Sequence, residues 1–258
     1  MYPVTSIFGR SIPTFAICIA VGLALAMLLI LFTHKLRGVR RDDAYYCAIF
    51  AFIGGIVGAK LLYIIVEFPA IISDLSRLPE LLVGGAVFYG GLIGGVLAGY
   101  LYLRRYSLPF LSMADVLLPS LALGQSAGRV GCFFNGCCYG MPWDGCLAVV
   151  YPDGGYAPGG VPIMPVQLFE SAFLLLLTGA LLLILYKDKR PGMVTGWYLT
   201  LYGLWRFGIE FFRTDPRGGL WIFSTSQIIS LLLIPAGVLI ILRAARKSRN
   251  TDELTNKP

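Results

Sequence analysis

The charged residues of this chain come in short blocks. Between the blocks lie apolar runs of about twenty residues, the length at which a helix crosses a hydrocarbon layer. A soluble domain spreads its charge and carries roughly a quarter of its residues as Asp, Glu, Lys or Arg. Here only 14% of 258 residues are charged and 57% are hydrophobic. The fold class expected is an all-α polytopic membrane protein, one transmembrane domain over residues 1–258. Seven spans are expected, at about 12–32, 44–66, 86–103, 111–132, 166–186, 193–212 and 224–242.

The connections carry their own signals. The one after the second span is rich in proline and mixed charge, holding Glu67, Asp74, Arg77 and Glu80. The Gly/Pro-rich stretch at 141–164 is expected to form a small extracytoplasmic head. Within it Leu147 to Tyr151 has strand propensity and Asp153-Gly154-Gly155 is a turn signal, so a short hairpin is expected. The tail at 244–258 is polar, and from Lys247 onward disorder is expected.

A net charge of +7 could suggest nucleic acid. The positions of the basic residues argue for membrane topology instead. One side of the membrane takes 14 Lys and Arg, in the loops at 34–43, 104–105 and 187–190 and in the tail. The other takes 4, namely Arg10, Arg77, Arg213 and Arg217. The C-terminus is therefore expected in the cytoplasm and the N-terminus outside. Residues 1–6 carry no basic n-region, so no cleaved signal peptide is expected.

Glycines mark close helix packing. Gly91, Gly95 and Gly99 recur every four residues in the third span, and Gly54 and Gly58 do the same in the second. Gly90 and Gly91, directly after Tyr89, are expected instead to open room for a ligand beside the tyrosine hydroxyl.

The remaining Lys60, Arg129 and Arg206 lie in or at the ends of spans. A cation there is costly unless something anionic meets it. Arg129 opens the segment Gly128 to Gly140, G-R-V-G-C-F-F-N-G-C-C-Y-G. Its glycines leave backbone N–H groups accessible, a plausible seat for a phosphate head group. Arg206 and Arg129 both fall in the outer halves of their helices, with one acid expected nearby. The plainer reading is that Arg206 and Glu210, four residues apart, neutralise each other. Arginine suits a phosphodiester because its fork binds two oxygens. Tyr89 and Tyr202 sit at similar depth, Gln167 and Glu170 open the fifth span, and Asn135 and Gln125 are possible head-group donors.

Four cysteines, Cys132, Cys137, Cys138 and Cys146, crowd this region. Their spacing is not that of a zinc knuckle, and no metal site or cofactor is expected. One or two disulfides are favoured in an oxidising compartment, with a redox-active pair as a further option.

Taken in order, four segments resemble the bacterial prolipoprotein diacylglyceryl transferase family. Tyr89 to Gly94 is similar to its H-G-G-L-I-G segment. Gly128 to Gly140 is similar to its central G-R-x-G-N-F-x-N-G-E-x-x-G motif. Pro165 to Glu170 resembles P-S-Q-L-Y-E, and Tyr202 to Arg213 resembles Y-G-x-x-R…E-x-x-R. The resemblance covers nearly the whole chain. It implies transfer of the diacylglyceryl group of phosphatidylglycerol onto the lipobox cysteine of a prolipoprotein signal peptide, forming a thioether and releasing glycerol phosphate. It implies Arg129, Arg206, Tyr89 and Glu210 as catalytic residues. It implies Gly90, Gly91, Gly128, Asn135, Gly140, Gln167, Glu170, Tyr202 and Arg213 as substrate-binding ones. The partners expected are phosphatidylglycerol, the prolipoprotein and membrane lipid, with no nucleic acid, in a monomer of the bacterial inner membrane.

The chain departs from the family pattern at four places. Tyr89 stands for the histidine, Cys132 for the first asparagine of the central motif, Cys137 for its glutamate, and Phe15 for a tyrosine of the first span. Either the histidine is dispensable or the chemistry has diverged. The intact arginines and glycines favour the first. A membrane thiol oxidoreductase built on Cys132, Cys137 and Cys138 is the alternative, and a lipid or anion transporter a third reading.

Overall fold

In a computed structural model of the chain, residues 4–7, 10–73, 85, 87–214, 219–220 and 223–255 are described. Seven α-helices run through them: α1 (Thr14–Thr33), α2 (Arg41–Ser73), α3 (Phe88–Arg105), α4 (Phe110–Asn135), α5 (Val166–Lys187), α6 (Met193–Ile209) and α7 (Thr225–Thr255). Among the described residues five stretches are long and apolar enough to cross a membrane: Thr14–Arg37, Arg41–Phe68, Phe110–Asn135, Val166–Lys187 and Thr225–Arg246. The other two helices fall short for visible reasons. α6 has 17 residues, and the glycines, tyrosines and terminal arginines of α3 dilute its apolar character. Large apolar side chains such as Phe32, Leu176 and Leu232 stand exposed on the outer faces, as a lipid surround requires.

The chain divides into two compact units. One holds Met1–Gly38 and Ala114–Pro258, and the other Val39–Met113. In the second unit α2 and α3 cross at their glycines. A Cβ on Gly90 would strike Gly58 and Leu62, and one on Gly94 would strike Gly54 and Gly58. Only hydrogen at those positions lets the backbones meet, which is the packing a membrane helix pair uses in place of a hydrophobic drive. The expectation that Gly90 and Gly91 open a ligand space is corrected here. Gly91 faces Gly55 and Ala59, so both glycines are filled by the neighbouring helix.

The first unit packs α5 on α6 through Leu174, Leu177, Leu181, Leu185, Val194 and Tyr198, with Ala122 of α4. The leucines recur at three- and four-residue intervals, one stripe of a helix. α6 and α7 meet where Gly196 and Gly203 face Gly237 and Ile234, and α1 crosses α4 at Gly22 and Gly124.

Near the start of α4, Asp115 is fully buried and bound on all sides. It accepts from Arg37 Nε at 3.0 Å, from the backbone N–H groups of Gly192 and Thr195 at 2.8 Å each, and from Thr195 Oγ1 at 2.7 Å. Asp115 thus caps the N-terminus of α6 from another helix, placing an anion at the positive end of its dipole. Arg37 also donates to the Leu185 carbonyl at 3.1 Å, near the end of α5.

Two-stranded hairpins occupy the turns. β1 (Val4–Ile7) pairs with β2 (Arg10–Pro13), β3 (Val149–Val150) with β4 (Pro162–Ile163), and β5 (Gly219–Leu220) with β6 (Phe223–Ser224), all antiparallel. A hairpin forms in the stretch at 141–164, β3–β4, but its two-residue strands are joined by residues 151–161 rather than by a tight turn at Asp153-Gly154-Gly155. It folds over a small cluster of Tyr151, Ala157 and Ile163. The tail differs from expectation, because α7 runs on through Thr255. Its Ala, Arg, Lys and Leu residues are good helix formers, and an established helix propagates cheaply. Of the connection after α2, Asp74, Arg77 and Glu80 lie outside the described residues.

Candidate functional site

One end of the first unit gathers charge from three consecutive segments. Arg129 comes from the last turns of α4, Glu170 from the first turn of α5, and Arg206 from the last turn of α6. Glu210 follows in a 3-10 turn, Glu210–Phe212, and Arg213 closes it. Arg129 Nη2 lies 3.0 Å from Glu170 Oε1, and Arg206 Nη2 lies 3.1 Å from Glu210 Oε2. The Arg129–Glu170 contact is close but poorly aligned, an ion pair rather than a hydrogen bond, because Glu170 Oε1 has no hydrogen-bond partner among the described residues. Arg206 Nη2 also donates to Ser226 Oγ of α7 at 3.0 Å, while its buried Nη1 has no hydrogen-bond partner among the described residues.

Arg206 is within electrostatic reach of Glu170, Arg213, Tyr202 and Arg129. Tyr202 in turn feels Glu170, Arg129 and Arg206 and stacks on Tyr198 with ring centroids 5.5 Å apart. Tyr198 donates to Gln125 Oε1 at 3.0 Å. Three guanidiniums and two carboxylates therefore share one neighbourhood, with a formal surplus of one positive charge. The expectation of a single nearby acid is corrected. Arg129 and Arg206 each have their own carboxylate, and the plainer reading of Arg206 with Glu210 holds as geometry.

Below Arg129 the helix ends in a defined way. Gly136 N–H donates to the Phe133 carbonyl and Cys137 N–H to the Cys132 carbonyl, both at 3.2 Å. Gly136 takes φ 73°. This is the Schellman ending, with the left-handed residue supplied by glycine. Cys138 follows with φ 61°, a left-handed conformation that non-glycine residues rarely adopt. Gln167 holds the turn. It is buried, donates through Nε2 to the Cys137 carbonyl at 2.8 Å, and reaches the Tyr151 hydroxyl at 3.3 Å. Burial pushes the Tyr151 hydroxyl up to about 12, against the opposing hydrogen bond from Gln167. Gln167 and Asn135 were expected to meet a head group. Gln167 instead braces this turn, and the Asn135 side chain is in hydrogen-bonding contact with Cys137.

The far end of the central segment is stitched to the last one. Gly140 N–H donates to the Met164 carbonyl at 3.2 Å, Met141 N–H donates to the Phe212 carbonyl at 2.9 Å, and Gly140 and Arg213 form an antiparallel bridge. A Cβ on Gly140 would meet Val166 and the Met164 carbonyl. This glycine is required by close backbone approach, and that packing accounts for it without a ligand. Gly128 packs beside Ile19 of α1. Tyr89 belongs to the second unit, half-buried, with its ring edge-on to Phe88 at 5.8 Å.

The disulfides expected for the cysteines are not formed. All six are free thiols, and Cys132, Cys137 and Cys138 bring their sulfurs within 4.8 Å of one another. The Cys138 thiol is held below the usual range, first by thiol hydrogen bonds from Cys132 and Cys137, then by Arg213 and Arg129, against burial. An open cavity of about 370 Å³ lies over the helix end, lined by Phe134, Asn135, Gly136, Tyr151 and Tyr156 among others.

Sequence reasoning passed over Asp115 and its partners. The signal was there, a single acid inside an apolar run that begins at Phe110, and such a residue needs a named partner. It also missed Ser226, a serine at a helix start with nothing local to mark it as a partner of Arg206.

Long apolar helices with paired arginines and carboxylates buried at one end of them define a class, the polytopic helical membrane proteins. The chain belongs to the prolipoprotein diacylglyceryl transferase family, whose profile matches residues 3–243. It is 40% identical over 234 residues to the phosphatidylglycerol–prolipoprotein diacylglyceryl transferase of Clostridium tetani, covering 91% of this chain and 94% of that one. It is 38% identical over 234 residues to a second such transferase, from Clostridium perfringens, covering 91% of each. A Clostridioides difficile relative of the same name is 32% identical over 249 residues, covering 95% of this chain and 96% of its own. The relatives give no support to the thiol oxidoreductase reading.

Proposed function

We propose that this protein transfers the diacylglyceryl group of phosphatidylglycerol to the cysteine thiol of a prolipoprotein. The membership and names of its relatives support the reaction, and the shared neighbourhood of Arg129, Arg206 and Arg213 supports the place. The attacking sulfur arrives with the prolipoprotein, so the enzyme needs no nucleophile of its own. The thiolate displaces glycerol phosphate from the glyceryl carbon. A carbon–sulfur bond forms, a carbon–oxygen bond breaks, and the thiol proton leaves to a base.

In this reading Arg129, Arg206 and Arg213 stabilise the charge that grows on the departing phosphate ester. Glu170 and Glu210 hold the guanidiniums in place before the lipid arrives. The phosphate then competes for N–H groups, starting from Arg206 Nη1, which has no hydrogen-bond partner among the described residues. Such an exchange replaces one anion by another and avoids an uncompensated buried cation. Tyr202 lines the pocket. Tyr89 takes the family histidine's position on motif grounds alone. We further read seven spans, with the N-terminus outside, the C-terminus in the cytoplasm, a monomer in the bacterial inner membrane, and the head at 141–164 extracytoplasmic.

Incubation of purified protein with phosphatidylglycerol and a lipobox peptide tests the reaction. The peptide is expected to gain the mass of one diacylglyceryl group, with glycerol phosphate released in equal amount. No mass gain from an intact, folded preparation sinks the proposal.

A further inference from the structure

The transfer reaction makes no use of the three thiols at the end of α4. Their arrangement follows from the helix ending. In a Schellman motif the residue after the left-handed glycine folds back over the residue four before that glycine, and an apolar contact usually joins them. Here those two positions are Cys137 and Cys132, so two sulfurs meet where two methyl groups ordinarily would. The Cys137 thiol points back at the Cys132 carbonyl, 3.8 Å away. The left-handed backbone at Cys138 then brings a third sulfur into the group, at the cost of a conformation non-glycine residues avoid.

The geometry suits a metal. The three Sγ atoms lie within 4.8 Å of one another. Sulfurs about 2.3 Å from a zinc ion stand roughly 4 Å apart, so closing on one ion takes a modest movement. The charge balance also suits it. Three thiolates around a divalent cation leave one net negative charge, and Arg213 and Arg129 both act on Cys138. The turn has an outer support as well, since buried Gln167 fixes the Cys137 carbonyl at 2.8 Å.

We propose that Cys132, Cys137 and Cys138 form a three-thiolate site for a thiophilic divalent cation of the zinc type, with a fourth position open. Binding takes one cation and three thiols to a metal–trithiolate and three released protons. The sequence spacing alone argued against this, because it matches no knuckle. The ligands are set by a helix ending, which no ligand-spacing rule counts. The inference stands apart from the transfer reaction, and its test reads metal, not lipid.

The test uses the full chain, reduced and in detergent, titrated with cobalt(II). One equivalent is expected to produce a sulfur-to-cobalt charge-transfer band that zinc(II) abolishes by displacement. Cys137→Ser and Cys138→Ser are each expected to remove the band, Gln167→Leu to weaken cobalt binding about tenfold, and Cys146→Ser to leave it unchanged. Alkylation of the unaltered protein covers the case in which a serine variant fails to fold. Added zinc(II) is expected to protect all three thiols while Cys146 reacts. Absence of the band, a band lost in Cys146→Ser, equal alkylation with and without zinc(II), or a disulfide joining two of the three in freshly purified protein would each overturn the proposal.

Discussion

Helix α4 carries a polar cluster near each end, and the two are built on opposite terms. Asp115 and Arg129 stand fourteen residues apart, about 21 Å along the axis. At the Asp115 end four donors converge on one carboxylate, and every distance is between 2.7 and 3.0 Å. At the Arg129 end the same kinds of groups meet loosely. The Arg129 pair is misaligned, and Glu170 Oε1, Gln167 Oε1, Trp205 Nε1 and Arg206 Nη1 are buried with no hydrogen-bond partner among the described residues, whereas the Asp115 cluster leaves one such atom, Arg37 Nη2. Buried polar atoms are expensive to leave unsatisfied, so the Arg129 end leaves more hydrogen-bonding capacity open than the Asp115 end. The Asp115 cluster ties helices together. The Arg129 cluster leaves more of its polar atoms without a partner among the described residues.

The hardest test of this contrast is at the Asp115 end. Asp115→Ala strips the cap from α6 and leaves Arg37 buried without its acid. A loss of about 3–5 kcal/mol is expected, read as a lower thermal unfolding midpoint in detergent. Transfer per folded molecule is expected to stay near that of the unaltered chain. An Asp115→Ala protein that melts normally but has lost its transfer would put chemistry at the wrong end and break the comparison.

Next in size is the Arg129 end. Arg129→Lys keeps the charge and discards the fork. Removing one such donor from a developing anion costs on the order of 100-fold in rate. The same loss is expected for Arg206→Lys, with unfolding midpoints little changed for both. If either variant transfers within a few-fold of the unaltered chain, that guanidinium does not meet the phosphate.

Most of the helices were legible because hydrophobic run length is a one-dimensional property that survives folding. Among the described residues a helix stands at each of the seven expected places, five of them long and apolar enough to cross a membrane, and a strand forms at Val149 and Val150. The arginines were legible as a cost, since a cation in an apolar run must be answered. What answers them was not. Glu170 precedes Arg206 by a whole helix hairpin and pairs with Arg129 instead, a choice made by packing of α4 on α5. The role of Gly90 was misread for a similar reason. A glycine that admits a ligand and one that admits a helix look the same until the neighbour is known. The cysteine cluster was hidden by a different limit, because its geometry comes from an Asn-Gly helix ending rather than from ligand spacing.

A smaller effect separates bracing from binding among the residues of α5. Gln167→Leu removes the bond to the Cys137 carbonyl and is expected to cost roughly 1–3 kcal/mol of stability. Transfer is expected to fall far less than in Arg129→Lys. A loss of transfer as large as that of the arginine variant would return Gln167 to the substrate pocket.

The smallest expected effect belongs to an exposed pair that resembles the Arg129 cluster only in its residue types. Asp188 follows α5 and accepts from Arg190 Nη2 at 2.6 Å, with more than a third of the arginine side chain in solvent. The side-chain hydrogen bond from Arg190 holds its carboxyl below the usual range, opposed by slight burial. A depressed carboxyl stabilises the fold above its unfolded value of about 4, and that contribution disappears as pH falls through the lower folded value. Asp188→Asn is therefore expected to lower the unfolding midpoint slightly at pH 7, by less than about 1 kcal/mol given the exposure. The two proteins are expected to converge once the pH is taken well below 4. A gap that instead widens in acid would mean the pair is not what the carboxyl responds to, and charge near the helix ends would have to be weighed together with the Asp115 cluster rather than apart from it.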